Sequence, residues 1–109
     1  MEKYFRAEVY GVYRVAVGKE ELYTVLLSCK EWEDKILPIF IGENEAMSIQ
    51  MALENFKPRR PLTHDLIVQM LETLGITVEK VTIDAVVGDL FTATIFLVDE
   101  FNSMKKVHI

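Results

Sequence analysis

Arg59-Arg60-Pro61-Leu62-Thr63-His64-Asp65-Leu66 is the stretch on which the reading of this chain turns. Pro58 and Pro61 flank its two arginines. Prolines so close together end any helix arriving from the N-terminal side and hold the residue before each in extended backbone. Thr63 is a natural N-cap, and Asp65 adds negative charge to the first turn of the helix it opens. From there Leu66, Ile67, Met70, Leu71 and Leu74 recur at helical spacing and Gly75 supplies the stop. The spacing predicts a helix with Leu66, Met70, Leu71 and Leu74 buried together. Two halves of different character meet at this stretch.

Outward from it, the C-terminal half alternates. Val81, Ile83, Ala85 and Val87 fall on one face of a strand, and Lys80, Thr82 and Asp84 on the other. Gly88-Asp89 is a two-residue loop with glycine first, as a type II′ turn demands. It predicts an antiparallel hairpin of residues 78–87 with 90–98. Phe91, Ala93, Ile95 and Leu97 face inward, and Met104–Ile109 begins another strand. On the N-terminal side, residues 3–17 are rich in β-branched and aromatic side chains, with a bulge or bend at Gly11. Gly18-Lys19 makes a hairpin with Leu22–Cys29, and Trp32 reads as a lid over the core edge. Ile36–Ile41 is apolar on both faces, which suits an inner strand, although Pro38 removes a ladder donor. Gly42 and the acids Glu43 and Glu45 then open a helix running to about Phe56. No repeat is legible. These elements predict one α+β domain over residues 1–109: a mixed, mostly antiparallel sheet of hairpins with two consecutive central helices packed on it.

At 109 residues, half of them hydrophobic and 27% charged, the composition is that of an ordinary globular domain able to bury a core. The single Cys29 has no internal disulfide partner, and the first residues lack the apolar run of a signal peptide. With no apolar run long enough to span a bilayer, the expected location is cytoplasmic, away from membranes. The net charge of −5 speaks against whole-protein steering toward nucleic acid. The deficit is uneven, however: residues 1–56 carry 10 acids and 6 bases, residues 57–109 carry 7 and 6. A basic patch at Lys57, Arg59 and Arg60 survives that balance.

Three sets of residues have chemistry to offer. His64 beside Asp65 at a helix entrance suits a general base with its orienter, or two metal ligands. The plainer reading is a capped helix start, because consecutive helical side chains diverge by about 100°. Glu43, Glu45, Asp65 and Asp84 are the carboxylates available to a divalent cation, which in phosphodiester cleavage activates water and clamps the leaving oxygen. Their spacing shows no convergence, and solvated acids at a helix start account for Glu43 and Glu45 equally well. Arg60 can fork two oxygens of an anion held at the Thr63 entrance. Phosphate loops, Cys-x-x-Cys pairs and serine-nucleophile motifs are missing from the sequence, so nucleoside-triphosphate chemistry, structural zinc and serine hydrolysis lose weight.

Three blocks carry a family likeness: Leu37-Pro38-Ile39-Phe40-Ile41-Gly42-Glu43-Asn44-Glu45-Ala46, Arg60-Pro61-Leu62-Thr63-His64-Asp65-Leu66 and Gly88-Asp89-Leu90-Phe91-Thr92-Ala93. Together they resemble the bifunctional nuclease (BFN) domain family, once known only as a bacterial, archaeal and plant domain of unknown function. The resemblance spans about residues 7–109. It implies a compact α+β fold, a tendency to associate, and nuclease activity on both RNA and DNA. In the family, a strand like Met104–Ile109 leads into a further helical segment, so the expectation is a chain lacking that C-terminal segment. The first functional expectation is metal-assisted phosphodiester hydrolysis, with His64 and Asp65 catalytic and Arg60 and Thr63 on the substrate. Glu43, Glu45 and Asp65 would hold a divalent cation such as magnesium. The second is a non-catalytic, homo-oligomeric module, most simply a dimer, binding a small anion at Arg60 and Thr63.

Overall fold

The computed structural model describes residues 3–109. The chain divides at Arg59/Arg60, inside the proline-bounded stretch, into two compact units. The class is α+β, and the strands form two separate three-stranded sheets, each antiparallel throughout.

In the first unit β1 (Glu8–Val17), β2 (Glu20–Ser28) and β3 (Leu37–Ile41) form a meander in the order β1-β2-β3, followed by α1 (Glu43–Leu53). The β1–β2 register shifts between Val9 and Gly11, so the irregularity expected at Gly11 is present. β3 is an edge strand and not an inner one; an edge is where a residue without an N–H is tolerated, which accommodates Pro38. α1 lies against β1 and β2 and buries Ala46. It ends at Leu53, earlier than the apolar period suggests. Asn55 adopts a left-handed conformation (φ 56°), and the amides of Asn55 and Phe56 turn back to the carbonyls of Ala52 and Met51. Trp32 is half-buried and meets the exposed Phe5 edge-to-face, with centroids 6.1 Å apart.

In the second unit α2 (Thr63–Thr73) precedes β4 (Thr77–Val87), β5 (Leu90–Val98) and β6 (Met104–His108), again a meander. α2 ends as predicted. Gly75 takes φ +72°, its amide bonds the Glu72 carbonyl, and the Ile76 amide bonds that of Leu71. The hairpin at Gly88-Asp89 is present, with Gly88 at φ +64°. Positive φ at the first loop residue alone is the II′ signature.

The two meanders are built alike. Their strands run 10, 9 and 5 residues in one and 11, 9 and 5 in the other. Each opens with a hairpin whose glycine, Gly18 or Gly88, sits at φ +64°. Opposite the central strand, Thr24 pairs with Tyr13 and Phe40, and Thr94 pairs with Thr82 and His108. This is an internal repeat of fold that the amino-acid sequence does not display.

One expectation about the core fails. Leu66, Met70 and Leu74 are 48%, 63% and 69% exposed, and Leu71 is only half-buried. The helical stripe is in place, but among the described residues of its own unit it stays largely uncovered. The apolar row expected in β4 is broken by the register shift between Ile83 and Ala85. Val81 and Ile83 pair with Ile95 and Ala93, whereas Ala85 and Val87 pair with Thr92 and Leu90 on the other face, and both Val81 and Val87 are exposed. The buried core comprises Val25, Cys29 and Ala46 with the two threonines Thr24 and Thr94, and no large side chain among the described residues is fully enclosed.

Candidate functional site

At the start of α2 the N-cap is Leu62, one residue earlier than the expected Thr63, which takes the first helical position. Leucine offers no acceptor to the first-turn amides. The cap is made from the other side: Asp65 Oδ2 accepts the Leu62 N–H at 2.8 Å. The second carboxylate oxygen lies 3.6 Å from His64 Nε2, so the neighbours that helical geometry would separate do meet. Asp65 is therefore committed to holding the helix entrance and the imidazole. Arg60 and Thr63 are exposed beside it. Glu43 and Glu45 stand in the first turn of α1, in the other unit, where Glu45 folds back over the N-cap Gly42. Among the described residues no three His, Cys, Asp or Glu side chains are gathered so as to hold a metal ion.

The densest polar geometry lies elsewhere, on one face of the second sheet. Thr82, Thr94 and His108 stand directly opposite one another on β4, β5 and β6. Cross-strand partners share a face, so their side chains form one row. The β4 register shifts between Ile83 and Ala85, which makes Asp84 the extra residue of a bulge. From there its carboxylate reaches back to that row. Oδ1 accepts the Thr82 hydroxyl at 2.8 Å and Oδ2 accepts the Thr94 hydroxyl at 2.7 Å. Thr94 Oγ1 lies 3.2 Å from His108 Nδ1. Thr94 is 5% exposed, so these bonds are made at the base of the row, while Asp84 and His108 remain open to solvent.

Two residues along each strand, about 7 Å away, comes a second row on the same face. Phe96 on β5 stands between Lys80 on β4 and Lys106 on β6. Both ammonium groups lie over its ring, 4.7 and 5.2 Å from the centroid. The face thus carries two cations on an aromatic platform beside a hydrogen-bonded Asp-Thr-His chain.

The model of the bifunctional nuclease domain matches residues 25–109. The chain belongs to that family. Relatives include an uncharacterised protein of Mycobacterium tuberculosis (strain ATCC 25618 / H37Rv), 36% identical over 83 residues, covering 75% of this chain and 51% of the relative. A bifunctional nuclease 1 of Oryza sativa subsp. indica and a bifunctional nuclease of Oryza minuta are each 24% identical over 87 residues, covering 80% of this chain and 26% of theirs. The chain spans about half the length of the mycobacterial relative and about a quarter of the plant ones.

Of the residues expected from the sequence, the structure joins His64 to Asp65 and places Arg60 and Thr63 in the open beside them. The sheet row was missed, because Asp84 reads as a solvated strand carboxylate and Thr94 and His108 lie in separate strands. The available signal was alternation: Lys80, Thr82 and Asp84 in β4, Thr92 and Thr94 in β5, and Lys106 and His108 in β6 are all polar at period two. Only the cross-strand register turns those three patterns into one surface.

Proposed function

We propose that this BFN domain binds nucleic acid on the open face of the β4–β5–β6 sheet and hydrolyses its phosphodiester bonds there. Family membership supports the class of substrate. The observation that carries the location is the placement of Lys80 and Lys106 on either side of Phe96. Ammonium groups take phosphates and release condensed counterions, and the half-buried Phe96 ring between them is an aromatic surface of the kind on which bases stack. A net charge of −5 does not oppose a local grip of this kind, because charges more than a Debye length away, about 8–10 Å, are largely screened.

A direct test is fluorescence anisotropy with a labelled single-stranded oligonucleotide at 50 and 200 mM salt. Two phosphate contacts on a single strand give a log–log salt slope of roughly −1.4. Lys80→Ala with Lys106→Ala should flatten that slope and weaken binding. Unchanged binding by the double variant would remove the nucleic acid from this face.

The second reading, a non-catalytic anion-binding module, draws its support from the lack of a three-group metal cluster among the described residues. It predicts binding without product. Gel analysis of the same oligonucleotide with and without magnesium decides between the two, and formation of cleavage product that the double variant fails to give is the outcome expected here.

A further inference from the structure

We propose that Asp84, Thr94 and His108 form a relay presenting His108 Nε2 as the proton acceptor of the hydrolysis. The inference takes its substrate from the function proposed above, while its geometry stands independently of it.

The direction of the hydrogen bonds fixes the tautomer. A threonine hydroxyl has one proton to give. At 2.7 Å from Asp84 Oδ2, the Thr94 proton is donated to a carboxylate, within the range of charge-assisted O–H···O⁻ bonds. Toward His108, Thr94 Oγ1 therefore acts as an acceptor, and His108 Nδ1 must carry the ring proton across the 3.2 Å contact. Nε2 is left with its lone pair and no partner among the described residues. The strand carrying His108 is held up to its last residue, because Ile109 and Ala93 exchange both backbone hydrogen bonds, at 2.8 and 2.9 Å.

The first unit shows that the fold does not require this arrangement. Thr24 occupies the matching place in the other meander and is equally buried, at 5% exposure. Its hydroxyl is satisfied by the backbone, donating to the Ile39 carbonyl at 3.1 Å. Its cross-strand partners are Tyr13 and Phe40, where Thr94 has Thr82 and His108. A buried threonine in this meander needs neither an acid nor an imidazole. Two strand partners and a bulge differ in the second unit, and together they build an Asp-Thr-His chain beside two lysines.

In the step itself, Nε2 takes a proton from a water molecule whose oxygen forms a bond to phosphorus. The bond from phosphorus to the leaving oxygen breaks. The leaving oxygen takes a proton from bulk water, and the imidazolium returns its own to the hydroxide so formed. The net change is consumption of one water. Asp84 stabilises the imidazolium through the Thr94 hydroxyl, as the buried carboxylate of a hydrolase triad does for its histidine. His108 is the catalytic residue; Thr94 and Asp84 are positioning residues.

The test uses the whole chain and two readouts. Imidazole nitrogen NMR on 15N-labelled protein above pH 8 should show neutral His108 protonated at Nδ1. Thr94→Ser should retain that tautomer, and Thr94→Val should lose it. In the oligonucleotide assay, His108→Gln should lower the cleavage rate at least 100-fold, the usual worth of a general base, while binding changes less than about two-fold. Thr94→Val should lower the rate and Thr94→Ser restore it. A wild-type His108 protonated at Nε2, or His108→Gln cleaving at the wild-type rate, overturns the relay while leaving the binding face in place. An intact Nδ1–H tautomer in a protein that binds nucleic acid but never cleaves it removes the catalytic role and the hydrolytic reading together.

Discussion

Thr24 and Thr94 hold the same place in two meanders, each the fifth residue of its central strand and each 5% exposed. Their hydroxyls nevertheless serve different ends, one tying β2 to β3 through the Ile39 carbonyl and the other joining Asp84 to His108. The pair therefore separates what the fold needs from what it does not. Removing the Thr24 hydroxyl affects stability alone. Thr24→Val should cost about 0.5–1.5 kcal/mol, the net worth of an ordinary intramolecular hydrogen bond. Urea unfolding checks this, and nucleic-acid binding should not change.

Local signals suffice where one residue decides the geometry. Gly75 is left-handed, as a helix stop should be, and the Gly88 turn closes the hairpin where two alternating runs meet. What the sequence concealed depends on register. The likeness of the two meanders and the Asp84–Thr94–His108 chain exist only once strands are aligned, and the Asp84 bulge, which no residue type announces, decides where the carboxylate points. The α2 stripe shows a third limit. Periodicity predicts which residues share a face, whereas burial depends on what covers that face, and Leu66, Met70 and Leu74 stay exposed among the described residues of their unit.

Gly75 offers a clean energetic test. Its φ of +72° costs a residue with a Cβ about 1–2 kcal/mol, and a Cβ there would also run into the Glu100 side chain. Gly75→Ala should lower stability by at least that amount in denaturant unfolding. Asn55 ends α1 in the same conformation without glycine, at φ 56°. Asn55→Gly should therefore be nearly neutral, and an equal loss at both positions would show that the conformation is not the cause.

Cys29 and Glu31 make a pH-sensitive contact. The thiol donates to Glu31 Oε2 at 2.6 Å. Burial, followed by that bond, pushes the Cys29 thiol above its ordinary value, and the same bond holds the Glu31 carboxyl below the usual carboxylate range. A lowered carboxyl pKa contributes stability above its unfolded value, lost as pH falls through the folded one. A raised thiol pKa contributes stability below its unfolded value, lost as pH rises through the folded one. The contact thus helps most between about pH 5 and 8. Alkylation of Cys29 by iodoacetamide at pH 8 should be slower than that of a free thiol, and Glu31→Gln should speed it up. An unchanged rate in that variant would assign the protection to burial alone.

The exposed stripe of α2 leads to the last expectation. Leu66, Ile67 and Met70 on one eleven-residue helix, and Leu74 at its C-cap, are each 48–69% exposed. An apolar surface of this kind on a folded chain usually marks an interface, and the simplest closed arrangement is a two-fold dimer in which the same patch meets itself. Light scattering at micromolar concentration should therefore give twice the 12.6 kDa chain mass. Met70→Glu with Leu74→Glu should return it to the monomer mass without loss of helical circular dichroism, because both positions already face solvent within the chain. The effect of Leu71→Ala should depend on concentration. In a monomer a half-buried leucine loses less than the 2–5 kcal/mol of an enclosed one, and in a dimer the loss should rise toward that range as the stripe becomes covered. A monomeric mass for the wild type, with Leu71→Ala equally mild at every concentration, would mean that this face stays open in solution.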